Sequence, residues 1–84
     1  MFTIILLMGA YVCMDFKEKH IGEKHTLDEW EKLIEESDEY NSGELAYSVK
    51  TFDTSAEMEV YNKCITDVEN YLSSDFYTFA TILV

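Results

Sequence analysis

Apolar and polar positions divide this chain into segments of different period. Residues Phe2 to Met14, FTIILLMGAYVCM, form a continuous apolar run rich in β-branched and aromatic side chains. Such a run predicts a central β-strand buried on both faces. Gly9 lies partway along and marks a bulge, a bend, or a hairpin that splits the run in two. Asp15 to His25, DFKEKHIGEKH, has no such pattern and reads as a polar connection. Leu27, Trp30, Leu33 and Ile34 then recur at helical spacing. Thr26 and Glu29 stand in capping-box positions before them, so the helix begins there and is expected to run to Asp38 and Glu39, before the Asn41-Ser42-Gly43 turn. Glu44 to Phe52 alternates, with Leu45, Tyr47 and Val49 on one face and Ala46, Ser48 and Lys50 on the other. That is a half-buried strand.

A second capping pattern, Thr54 with Glu57, opens a second helix. Its apolar stripe is Met58, Tyr61, Ile65, Val68 and Leu72, with Cys64 beside it and Ser73-Ser74-Asp75 as the stop. Phe76 to Val84 is a final strand, apolar on both faces. The order is β-α-β-α-β and the class α+β, with two amphipathic helices on one face of a sheet. The sheet has three strands, or four if the N-terminal run is a hairpin. The first and last strands then leave an apolar face uncovered, which implies an interaction surface and, most economically, a homodimer.

With 84 residues, no proline and three glycines, the chain forms a single domain over residues 1–84, with no linker. The N-terminal run carries no basic residue before Lys17 and no small-residue cleavage site, so it is not a signal peptide. It is also shorter than the ~20 apolar residues a membrane-spanning helix needs. Cys13 and Cys64 both lie in apolar patterns and read as buried free thiols. That points to a reducing, cytoplasmic setting, although the sequence leaves a single bridge between them open.

Charge changes the picture most. Seventeen acids face six lysines and no arginine, a formal charge of −11. Direct nucleic-acid binding is therefore excluded, since it depends on Lys and Arg neutralising phosphates. A basic partner, by contrast, would be attracted. The ordinary alternative is that the acidity serves solubility alone.

Chemistry is sparse. No phosphate-binding glycine loop, H-E-x-x-H or C-x-x-C motif occurs. His20 and His25 are five residues apart, a spacing that fits neither a helical ligand pair nor a zinc finger, so no metal or cofactor is expected. Cysteines in apolar stripes are usually inert, so no thiol dyad is expected and the chain reads as non-enzymatic.

The acids are concentrated. Asp28, Glu29, Glu31, Glu35, Glu36, Asp38 and Glu39 share their segment with one basic residue, Lys32. On one continuous helix they would span about 18 Å, or one net charge per ~3 Å. A single DNA strand carries one per ~3.4 Å. Acids at that helix's C-terminal end would oppose its dipole, a local conflict that suggests a purpose beyond helix stability. Glu57, Glu59, Asp67 and Glu69 would extend the charge from the second helix.

In size, charge and helix pattern the chain resembles the small DNA-mimic inhibitors of bacteriophages and mobile elements, of the anti-restriction, anti-CRISPR and uracil-glycosylase inhibitor kinds. The resemblance implies a non-enzymatic, often dimeric protein of the host cytoplasm. It implies that these eleven acids bind a basic nucleic-acid-binding protein such as a CRISPR effector or a restriction enzyme. The alternative function is a small homodimeric regulatory module that works through its apolar sheet face.

Overall fold

The computed structural model describes residues 1–9, 12–71 and 78–84, with side chains described except at 68–71 and 78. Its elements are β1 (Phe2–Gly9), α1 (Val12–Lys19), α2 (Leu27–Glu35), α3 (Asp38–Asn41), β2 (Leu45–Phe52), α4 (Ser55–Tyr71) and β3 (Thr78–Leu83). The three strands form one antiparallel sheet in the order β2-β1-β3. The expected α+β class and three-stranded sheet are therefore observed. The stripe position Leu72, the helix stop at Ser73–Asp75 and the first two residues of the expected last strand lie outside the described residues.

The apolar run places β1 in the centre. Ile5 and Leu7 on one face and Ile4 and Leu6 on the other are all buried. Both faces must therefore be covered. The face of Ile5 and Leu7 joins Ala80, Ile82 and Leu45 of the neighbouring strands, and Cys13, Phe16, Trp30 and Ile34 of α1 and α2 close over it. Alternation in β2 follows the expected sense, with Leu45 buried and Ala46 and Lys50 exposed.

The opposite face belongs to α4. Leaving β2 at one edge and entering β3 at the other, the chain must cross over β1. Thr81, the register partner of Leu6, donates a hydrogen bond from its hydroxyl to Asn62 Oδ1 of α4. Phe52, the partner of Phe2, meets the Tyr61 ring at 5.2 Å between centroids. The expectation of both helices on one face therefore fails, because the crossover has to pass over the second face. Among the described residues, the uncovered sheet face from which a dimer was inferred is therefore not observed.

Four further expectations change. The N-terminal run does not continue as a strand or fold back as a hairpin: β1 ends at Gly9, and a helix begins at Val12. Cys13 and Phe16 are buried, while Asp15, Lys17, Glu18 and Lys19 face outward, so part of the supposed polar connection is an amphipathic helix. Ser37 interrupts the long acidic helix. Its hydroxyl donates to the Ile34 carbonyl and accepts from the Tyr40 N–H, which ends α2 and caps α3. Finally, both cysteines are free thiols, but only Cys13 is buried; Cys64 is exposed.

Candidate acidic binding surface

The surface is built on the start of α2. The Thr26 hydroxyl accepts from the Glu29 N–H at 3.2 Å, and the Glu29 carboxylate accepts from the Thr26 N–H at 2.8 Å. This reciprocal cap satisfies two backbone donors that the first turn leaves open. Those bonds hold the Glu29 carboxyl below the usual carboxylate range, the backbone N–H of Thr26 contributing most. Glu29 is therefore engaged in the fold.

Two more of the expected acids are engaged as well. Glu39 bonds the Lys19 ammonium at 2.7 Å and so ties α3 to α1. That contact lowers Glu39 and raises Lys19 from their ordinary values. Glu35 accepts from the Tyr47 hydroxyl at 3.1 Å. Burial first, and the neighbouring Glu35 second, push the Tyr47 phenol up to about 12.

Asp28, Glu31, Glu36 and Asp38 remain. Among the described residues, none of these four carboxylates has a hydrogen-bond or ion-pair partner. Asp28, Glu36 and Asp38 are exposed and Glu31 is half-buried. Asp38 and Glu39 occupy the first turn of α3, where open backbone N–H groups favour carboxylates. The dipole conflict expected at the helix end is thus confined to Glu35 and Glu36. The uniform 18 Å rod expected from the sequence becomes two segments with a cap between them. The serine before Asp38-Glu39 was the available signal for that break.

The α4 acids lie elsewhere. Glu57 is in the first turn, where its N–H donates to the Thr54 hydroxyl at 3.2 Å, and Glu59 and Asp67 are exposed. The Glu69 side chain is outside the described residues. Because α4 covers the opposite face of the sheet, these acids do not continue the α2–α3 surface.

A cluster absent from the expected site joins the loop to the core. Glu23 is bonded by His20 Nδ1 at 2.9 Å and by His25 Nε2 at 2.8 Å. Both imidazole rings meet Trp30 edge-on, at centroid distances of 5.9 and 4.8 Å. The His25 bond first, and then that of His20, hold Glu23 below its ordinary value. Among the described residues, no group of three or more histidine, cysteine or acidic side chains is arranged to hold a metal ion. No helix among them is long and apolar enough to cross a membrane.

These pairs predict a pH signature. Glu23 and Glu39 have lowered folded values, so their stabilisation is present above about pH 4.5 and is lost as pH falls through those values. Relief of repulsion among the exposed acids acts in the opposite direction, so the comparison must be made against variants. Glu23→Gln and Glu39→Gln are each expected to lower Tm at pH 7, and the gap from wild type should narrow as pH falls below about 4.5. A gap that widens on acidification would contradict these pairings. Tyr47 acts at the other limit: its raised value stabilises the fold up to about pH 10, and that contribution is lost as pH rises towards 12.

The chain matches no protein-family model, no curated protein and no solved structure.

Proposed function

We propose that this protein is a non-enzymatic inhibitor whose α2–α3 surface enters the basic nucleic-acid-binding groove of another protein. CRISPR effectors and restriction enzymes are the partner class that fits. The observation carrying this reading is the set Asp28, Glu31, Glu36 and Asp38, which makes no ion pair among the described residues and sits on two capped helices. Held in this way, the backbone that carries these carboxylates is already ordered before binding. The net charge of −11 adds a long-range field that steers a basic groove towards them. The engaged acids Glu29, Glu35 and Glu39 maintain the scaffold and add to the field without being the contacts themselves.

The test is affinity capture of nucleic-acid-binding proteins from a host lysate on the immobilised chain, across a sodium chloride series. Captured proteins should be basic, should be displaced by added duplex DNA, and should lose at least tenfold in affinity between 50 and 200 mM salt, roughly the scale for several screened charge contacts. Capture that persists at 0.5 M salt and ignores competing DNA would sink the proposal.

A further inference from the structure

A second feature lies away from the acidic surface, beside β3. There a cleft of about 260 Å3 opens between the loop after α1 and helix α4. Lys17, His20 and Glu23 line it from α1 and the loop after it, Asn62 and Thr66 from α4, with Trp30 and Ile82 also in the lining. Three observations give it a chemical character.

The first is local charge. In a chain of net charge −11, half of the lysines and both histidines fall between residues 17 and 25. Lys19 is neutralised by Glu39. Lys17 lines the cleft and, among the described residues, has no ion-pair partner. The carboxylate in that lining, Glu23, already has both oxygens bonded by His20 and His25.

The second is an oriented donor. Thr81 donates to Asn62 Oδ1, which fixes the amide and leaves its Nδ2 group as the free end. Among the described residues that group has no acceptor. The neighbouring Thr66 hydroxyl donates to the Asn62 carbonyl at 2.9 Å and holds the same turn of α4 in place.

The third is size. At ~30 Å3 per water, this volume suits a molecule of about nine non-hydrogen atoms. An ammonium and an amide N–H pair match the two oxygens of one carboxylate. A dianion would find a single lysine, placed in the last turn of α1 where exposed carbonyls disfavour dense negative charge.

We propose that this cleft binds a small organic carboxylate, held by Lys17 and the Asn62 amide, with its apolar part against Trp30 and Ile82. The site is independent of the acidic surface and does not rest on the inhibitor reading. Trp30 is the only tryptophan, so its fluorescence reports on the cleft directly.

The test titrates the full chain with hexanoate, following Trp30 emission and backbone amide shifts. Inorganic phosphate and 1-hexanol serve as comparison ligands. Hexanoate should give a saturable change centred on Lys17 to Glu23, Trp30, Asn62 and Thr81, and should bind more tightly than either comparison. Lys17→Met and Asn62→Asp should each weaken it at least tenfold. Lys17 is exposed, so its variant keeps the fold and carries the test even if Asn62→Asp does not fold. No saturable change with hexanoate, equal or tighter binding of phosphate or hexanol, or unaltered affinity in Lys17→Met would each overturn the proposal.

Discussion

Gly9→Ala should destabilise the fold by about 3 kcal/mol, at the upper end of the usual cost of overpacking. Gly9 closes β1 between two neighbours, paired with Leu45 of β2 and Thr78 of β3. A methyl group built there runs into the Glu44 carbonyl oxygen and lies 3.2 Å from Val12 Cγ2. A flexible side chain could swing aside, but a backbone carbonyl cannot do so alone. Glu44 is held by its N–H bond to the Glu39 carbonyl at 3.0 Å. It also follows Gly43, which turns the chain in the left-handed region at φ +83°. Relieving the clash would therefore shift the entry of β2 and, with it, Leu45 in the core. Against a total stability of about 5–15 kcal/mol for a natural domain, that is a large fraction. Urea unfolding should show a lower midpoint with an unchanged slope. A midpoint close to wild type would mean that the α3–β2 turn relaxes freely.

The same corner shows where the sequence was and was not legible. Local devices were readable because their partners are close in the chain: Thr26 with Glu29, or the alternation from Leu45 to Lys50. The buried central strand was readable because a residue run apolar on both faces has few other places to go. The start of α1 was not, because Val12 and Cys13 belong to a helix face and yet continue the apolar run of β1 without a polar break. The position of α4 was not readable either. Its stripe shows which side of the helix is buried, but the β2-β1-β3 order sends it across β1, and α1 and α2 already cover the other face of the sheet. The acidic site divides in the same way. Its charge density and the engagement of Glu29 in its cap are local properties of the sequence, but Glu35 and Glu39 are paired through tertiary structure. Glu39 meets Lys19 and Glu35 meets Tyr47 across 20 and 12 positions. Only after those pairs are removed do Asp28, Glu31, Glu36 and Asp38 stand out as the carboxylates free to meet a partner.

That division makes the inhibitor reading testable at the level of residues. Neutralising three exposed acids of the α2–α3 surface, as Asp28→Asn, Glu36→Gln and Asp38→Asn, should weaken partner binding about 30-fold. The figure follows from about 0.7 kcal/mol for each solvent-edged ion pair, some 2 kcal/mol in all. The matched control, Glu57→Gln, Glu59→Gln and Asp67→Asn on α4, should change binding by less than about threefold, within the low end of the same range. Each triple variant removes three charges and brings the formal net charge from −11 to −8, so any effect of overall charge is equal in both. The fold should survive. Asp28 and Asp38 lie in first helical turns, where a carboxylate is worth about 0.3–1 kcal/mol, and removing Glu36 from the C-terminal end of α2 returns a few tenths. Isothermal titration against one captured partner, at fixed low salt, separates the outcomes. Unequal losses assign the contact to α2 and α3. Equal losses would mean that the partner senses the diffuse field of the whole chain, and the reading of a defined acidic surface would fall.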